Sequence, residues 1–331
     1  MKKPTLCVIF GGKSSEYEVS LRSAYSVLGA INSEKYNVIT VGITRDGKWY
    51  IYKGERERIK NDTWQGENTT PVTLDLSRGQ LIALGKSIYT KEVDVFFPVM
   101  HGEFGEDGRI QGLLDICGAK YVGCDPFASH ICMDKSLTKE IARQIQIEVA
   151  REYLENEEIT YPVFVKPCMC GSSVGVSRVE SERELKGAVE IAKSYCPKIL
   201  IEEAIVGCEV EVAVLERCGE LIVSPVGEVR HGGIFYGYEE KYKSQGNEYI
   251  IPAKISEKTE KYLRECAKKL FLALKCRGLA RFDFFVCQNE RVVFNEVNTM
   301  PGFTEDSMYP MLLKKSGVPF DAVIDALVEN A

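Results

Sequence analysis

The chain has 331 residues, which suggests two or three domains, and its 45% hydrophobic and 27% charged content is an ordinary globular balance. A net charge of −6 with no Lys/Arg-rich block argues against nucleic acid as a partner, and no apolar run approaches the 18 or so residues of a membrane span. The twelve cysteines are irregularly spaced and no signal-peptide pattern is seen, so they read as small buried hydrophobes in a reducing cytoplasm.

Residues 5–10 form a continuous apolar strand, followed by a Gly-Gly turn and a helix over 19–31. Strands over 36–43 and 93–99, a short helix over 110–117 and a strand at 121–122 continue a βαβ pattern, which implies a parallel sheet with flanking helices. The charged stretch 54–68 reads as an irregular insertion or surface loop. Residues 129–145 read as one amphipathic helix with Ser129 as its cap, and a short acidic link over 147–161 follows. A strand then leads to Lys166, a helix over 182–194 is capped by Ser181, and a strand over 199–203 ends in acids. From Gly207 the pattern is rich in strands, at 209–215, 221–226, 281–286 and 292–297, with a long amphipathic helix over 258–273 and a short one over 322–328. The units inferred are 1–120, 121–205 and 206–331.

The strands over 281–286 and 292–297 are joined by a polar turn and read as a hairpin. Side chains alternate along a strand, so Glu296 and Asn298 share a face, and Asp283 can join them from the facing strand. Hard oxygens converging on one sheet face suit Mg²⁺, which binds carboxylates together with phosphate oxygens. The plainer alternative is a half-exposed hairpin with solvated acids. Upstream, Lys166-Pro167 leads into Gly171-Ser172-Ser173-Val174-Gly175, whose amides and hydroxyls can wrap phosphate oxygens. It is not a Walker loop, because no GKS or GKT ends it. Taken alone it reads as a plain turn; with the carboxylate trio it becomes a nucleotide site.

The segments HGEFGEDGRIQG (101–112), FGGKSSEYEVSLRSA (10–24), VKPCMCGSSVG (165–175), YEEKY (238–242) and NEVNTMPGFTEDSMYP (295–310) together resemble the D-alanine–D-alanine ligases of the ATP-grasp superfamily. The resemblance runs over about residues 5–327, and the stretch 42–55 is most similar to the G-type vancomycin-resistance branch of D-Ala–D-Ser ligases. It implies an α/β ATP-grasp fold, α+β in its ATP-binding part, with an N-terminal parallel-sheet substrate domain. The implied activity is ATP-dependent joining of two D-alanines through an acyl phosphate for peptidoglycan precursors. The link over 147–161 is shorter than the helix-bearing segment usual in that family, which leaves the local packing open.

The resemblance also implies roles for individual residues. Asp283, Glu296 and Asn298 would hold two Mg²⁺ ions, with Mn²⁺ a possible substitute. Lys135, Lys166 and Lys241 would meet ATP, with Glu202, Glu203, Ile205 and Glu209 along adenine and ribose. Arg281 and the Gly302 N–H would stabilise the tetrahedral intermediate. Glu16 would anchor the first D-alanine's ammonium, linked to Ser172 and Tyr242 in a triad that fastens a closing loop over about 231–249. His101, Ser307 and Met308 would border substrate. D-Ser-using relatives usually carry Arg where Met308 stands, and lactate-using relatives lack the Lys241-Tyr242 pair, so D-Ala is expected as second substrate. The alternatives are a D-Ala–D-Ser ligase and a non-catalytic nucleotide-binding paralogue. The partners expected are small molecules, with no nucleic acid and no membrane, in a cytoplasmic homodimer.

Overall fold

The computed structural model describes residues 2–85, 87–154, 157–230 and 248–331. In the first layer, strand β1 (Thr5–Gly11) is apolar along nearly its whole length and buried on both faces. It pairs in parallel with β2 (Asn37–Ile43) on one side and β7 (Val95–Val99) on the other. The parallel sheet expected from the βαβ pattern is therefore one end of it, with β7 at the edge. Antiparallel strands β3 (Trp49–Tyr52), β4 (Thr69–Asp75), β5 (Gln80–Leu84) and β6 (Ile88–Lys91) extend it to the order β6-β5-β4-β3-β2-β1-β7.

Helix α1 (Tyr17–Ala30) covers one face through Tyr17, Leu21, Ala24 and Val27, a helical spacing. The stretch 54–68 corrects the expectation of a surface loop. It holds the short helix α2 (Arg56–Lys60) and a fully buried Trp64, whose ring meets Phe10 edge-on at 5.0 Å. Charged neighbours masked one large apolar anchor. Helix α3 (Arg109–Ile116) buries Ile110 and Leu114 against the opposite face.

The helix expected over 129–145 is two helices, α4 (Pro126–Met133) and α5 (Lys135–Gln144). Asp134 breaks the run with extended backbone, and its carboxylate accepts from the amides of Ser136 and Leu137 at 3.0 and 3.2 Å. Ser129 is no cap; it is buried inside α4, whose cap is Asp125. A capping acid inside an amphipathic pattern is nearly invisible to periodicity.

The second layer is the three-stranded antiparallel sheet of β8 (Val163–Pro167), β9 (Ser177–Val179) and β10 (Ile199–Glu203), in the order β10-β8-β9. Helix α6 (Glu182–Tyr195) covers it. Ser181 stands at its cap position but makes no capping bond with its side chain, and Glu184 instead accepts from the Glu180 amide at 2.8 Å.

The third layer is six-stranded and built around β11 (Cys208–Arg217), with β12 (Glu220–Val223), β13 (Gly227–Arg230), β14 (Glu248–Ile250), β15 (Leu279–Val286) and β16 (Val292–Asn298). Helix α7 (Glu257–Ala273) buries Leu263, Ala267, Leu270 and Phe271 against it. Helices α8 (Met308–Lys315) and α9 (Phe320–Glu329) return to the first layer and share its core through Tyr309, Leu312, Ile324 and Leu327.

The short link over 147–161 has a clear place. Val149 bridges Phe294 of β16, Glu152 bridges Glu202 of β10, and the Tyr153 amide donates to Ile201 O at 2.8 Å. The link thus laces the second layer to the third.

Asp134 joins α5 to the segment just before β10, because it also pairs with Lys198 Nζ at 2.9 Å. Asp134→Ala is expected to lower stability by about 1–2 kcal/mol, read as a fall in the urea midpoint. Asp134→Asn, which keeps the cap, should cost much less. Equal losses would assign the effect to the Lys198 pair.

Candidate functional site

A cavity of about 1020 Å³ lies between the second and third layers, walled by β8 and β10 on one side and by β11, β13 and β16 on the other. Lys135 and Lys139, one turn apart on α5, line it with Lys166 at the end of β8. Their charges are met by carboxylates from the facing strands. Lys135 Nζ is 3.1 Å from Glu296 Oε2 and donates to Cys170 O at 2.8 Å. Lys166 Nζ is 2.9 Å from Glu202 Oε2, and Lys139 takes the other Glu202 oxygen. Burial pushes the Glu202 carboxyl up, but Lys139 and Lys166 overcome it and hold the pKa down to about 2. Burial pulls Lys139 below its ordinary value, while Lys135 is held above its own despite burial, by Glu296.

The hairpin carries the polar cluster at the floor. Asp283 stands opposite Glu296 in register, and the pairing shifts between Asp283 and Phe284, so Asn295 is the extra residue of a bulge. Asn295 and Glu296 line the cavity. Asn298 Nδ2 donates to Asp283 Oδ2 at 3.0 Å. Arg281 donates through Nε and Nη2 to the two Asp283 oxygens, each at 2.8 Å, and its Nε is 2.9 Å from Glu211 Oε2. Asp283 and Glu296 are oxygen donors on neighbouring strands with Asn298 beside them, a set whose chemistry fits Mg²⁺ sharing its shell with phosphates. Among the described residues, no group of three His, Cys, Asp or Glu side chains could hold a metal ion by itself.

A second polar cluster joins the first layer to the Gly/Ser loop. Ser172 donates to Glu16 Oε1. Ser172 and Ser173 have φ of 52° and 58°, a left-handed conformation that non-glycine residues adopt at a cost. A Cβ on Gly102 would lie 2.4 Å from Glu16 Oε2, and one on Gly171 would lie 2.7 Å from it, so either would push the Glu16 carboxylate aside, and Gly102 also has a left-handed φ of 68°. Burial and the nearby Glu106 raise the Glu16 pKa. His101 is buried. Its Nδ1 donates to Met300 O at 2.9 Å, its Nε2 is 2.8 Å from Ser23 Oγ, and Glu106 is 3.7 Å from Nδ1. Burial lowers the His101 pKa, but Glu106 and Glu16 outweigh it and leave it raised.

Several expected residues stand differently from their expected posture. Glu202 is 1% exposed, with its oxygens taken by lysines, because a buried carboxylate needs counter-charges more than a ribose contact. The Glu203 carboxylate is held by Arg291 at 2.9 Å and by the Arg151 amide at 3.0 Å. Met308 is 3% exposed at the start of α8, and a Cβ on Gly227 would lie 2.8 Å from its sulfur, so its side chain belongs to the core. Ser307 beside it bonds Thr304 Oγ1 at 2.8 Å and lies 3.2 Å from where a Gly302 Cβ would be. Ile205 and Glu209 line the cavity. Lys241 and Tyr242 lie outside the described residues. Sequence reasoning missed Lys139 and Glu211. The i, i+4 spacing from Lys135 could have flagged Lys139, whereas Glu211 needs the β11–β15 register that sets it opposite Asp283.

Glu202 has its folded pKa below the ordinary 4.5, so its ionised form stabilises the fold fully above pH 4.5. That contribution is lost as the pH falls towards about 2. In acid titrations of the unfolding free energy, Glu202→Gln should therefore show a shallower loss over that window than the wild type. Equal slopes would assign the acid sensitivity to other carboxyls.

Comparison with known proteins places this geometry. Family models described as the D-ala D-ala ligase N-terminus and C-terminus match residues 5–124 and 127–329. A D-alanine–D-alanine ligase of Caldicellulosiruptor bescii is 40% identical, over 100% of this chain and 96% of its own length. The vancomycin B-type resistance protein VanB of Enterococcus faecalis is 41% identical, over 100% of this chain and 99% of its own. The crystal structure of the VanG D-Ala:D-Ser ligase from Enterococcus faecalis superposes with a TM-score of 0.90 at 38% identity, covering 99% of each chain. The layered α/β architecture is thus the ATP-grasp fold, and the chain belongs to the D-alanine–D-alanine ligase family.

Proposed function

We propose that this protein is an ATP-dependent ligase that joins two D-alanines through an acyl phosphate, supplying a peptidoglycan precursor. The observation that carries this reading is the cavity between two sheets, with lysines on one wall and the Asp283–Glu296–Asn298 hairpin at its floor. A carboxylate must approach a triphosphate in this reaction, and like charges repel. Lys135 and Lys166 offset that repulsion from the wall, as point charges to phosphate oxygens. Glu203, Ile205, Glu209 and Lys241 complete the nucleotide side. Asp283, Glu296 and Asn298 would hold Mg²⁺, which would supply charge neutralisation of the transferring phosphoryl group.

Glu16, wedged against Gly102 and Gly171, anchors the ammonium of the first D-alanine, and its raised pKa falls once that cation arrives. Ser172 holds Glu16 from the loop side, and Tyr242 completes the triad that closes the site against water. His101 stands behind Glu16 on the substrate side. Arg281, steadied by Asp283 and Glu211, meets the developing oxyanion together with the Gly302 N–H. Ser307 borders the second subsite, and Met308 bears on it through the start of α8. A cytoplasmic homodimer is read from the family. No helix among the described residues is long and apolar enough to cross a membrane.

The resemblance to the VanG ligase supports a second reading, with D-Ser as the second substrate. Phosphate release with D-Ala, D-Ser, D-lactate and L-amino acids, alone and paired with D-Ala, separates the two. Turnover with D-Ala alone is expected; a higher kcat/KM for D-Ser as second substrate would favour the D-Ser reading. No turnover with any D-amino acid would leave the nucleotide-binding paralogue.

Glu296→Gln keeps the side-chain size and removes the charge. Ligation should fall by at least about 10²-fold, a loss of roughly 2.7 kcal/mol of transition-state stabilisation, with an unchanged circular dichroism spectrum. Near-normal turnover at saturating Mg²⁺ would remove Glu296 from the metal site.

A further inference from the structure

Lys139 is a buried cation that the catalytic reading above leaves unused. It is 1% exposed and lines the cavity one helical turn beyond Lys135. Its ammonium pairs with Glu202 Oε1, and neither atom finds a further hydrogen-bond partner among the described residues. The other Glu202 oxygen is 2.9 Å from Lys166 Nζ, which also reaches Asn295 Oδ1 at 3.5 Å. One buried carboxylate therefore faces two ammonium groups, and the cluster keeps a surplus positive charge on the cavity wall. An aliphatic side chain would fill the same space on α5 without the desolvation cost, which for a buried ion is of the order of several kcal/mol. Packing alone does not account for a lysine there.

The balance changes if Lys139 is removed. Among the described residues, Glu202 would then keep Lys166 as its one ion-pair partner, with Lys135 acting on it from farther off, and attraction in a low-dielectric wall is strong. The pair would neutralise itself, and Lys166 would have little charge left for a ligand. Resting on the nucleotide reading of the cavity, we infer that Lys139 is a positioning residue. It occupies Glu202 from the helix side and so keeps Lys166 available to the polyphosphate of a nucleoside di- or triphosphate. Its effect runs through Glu202 and falls on the phosphates, not on the nucleoside.

That separation sets the test. Binding of ADP and of adenosine to the full chain is measured by calorimetry in EDTA, so that no metal takes part. Lys139→Met should weaken ADP about tenfold, roughly 1.4 kcal/mol, and leave adenosine within about twofold. The double variant Lys139→Met/Glu202→Gln removes the competing carboxylate and should bring ADP back to within about threefold of the wild type. Unchanged ADP binding in Lys139→Met overturns the inference, as does an equal weakening of ADP and adenosine, which marks a packing role. If Lys139→Met alone does not fold, the double variant carries the test, and a tenfold or greater loss of ADP in it overturns the inference. Wild type that binds neither ligand overturns the nucleotide reading itself, a result distinguishable from a wild type that binds ADP beside an indifferent Lys139→Met.

Discussion

The carboxylate of Glu202 is the tie on which the cavity depends. It stands on β10 and binds Lys139 from α5 and Lys166 from β8, so one buried anion joins a helix and two strands at the cavity wall. Removing one partner from a buried pair leaves an uncompensated charge, at a cost of about 3–5 kcal/mol. The link over 147–161 reinforces this tie, because Glu152 bridges Glu202 and Val149 bridges Phe294 on the facing sheet.

The same logic of shared charge governs the hairpin. Arg281 is divided between Asp283 and Glu211, carboxylates from adjacent strands in register. If a cation takes Asp283, Arg281 keeps a partner in Glu211 and is not left as an unpaired buried charge. Lys135 stands in a comparable position to Glu296. Arg281 and Lys135 thus each have an internal carboxylate partner, which an incoming ligand would have to share or replace. This kind of arrangement preorganises donors and acceptors without leaving them strained.

The junction between the first layer and the Gly/Ser loop depends on close approach instead. Glu16 holds its present position against Gly102 and Gly171, which have no Cβ to displace it, and Ser172 reaches it from a left-handed backbone position. Behind it, His101 and Ser23 tie α1 to the turn after β16, since Met300 O accepts from His101 and the Phe303 amide donates to Ser23 Oγ at 3.3 Å. Segments distant in the chain therefore meet at one small polar cluster, where a single added methyl group would displace a carboxylate.

Much of this was legible in the sequence, wherever a local rule applied. The apolar run of β1, the alternation that puts Glu296 and Asn298 on one face, and the spacing of α7 follow from periods of two and 3.6 residues. The Gly/Ser loop and the motif segments were legible for the same reason, since their residues are contiguous. Other features were decided only by tertiary structure. Asp134 broke a pattern that looked like one helix, and Trp64 anchored a stretch that looked like a loop. Met308 turned inward to Gly227, and Lys139 and Glu211 found their charges across strands far apart in the chain. The sequence by itself determined which groups could carry charge, bend the backbone or fill a core. Which of them met was decided by the docking of three sheets, because a buried charge takes its partner from whatever strand or helix lies opposite, and that neighbour is set by the fold and not by sequence distance.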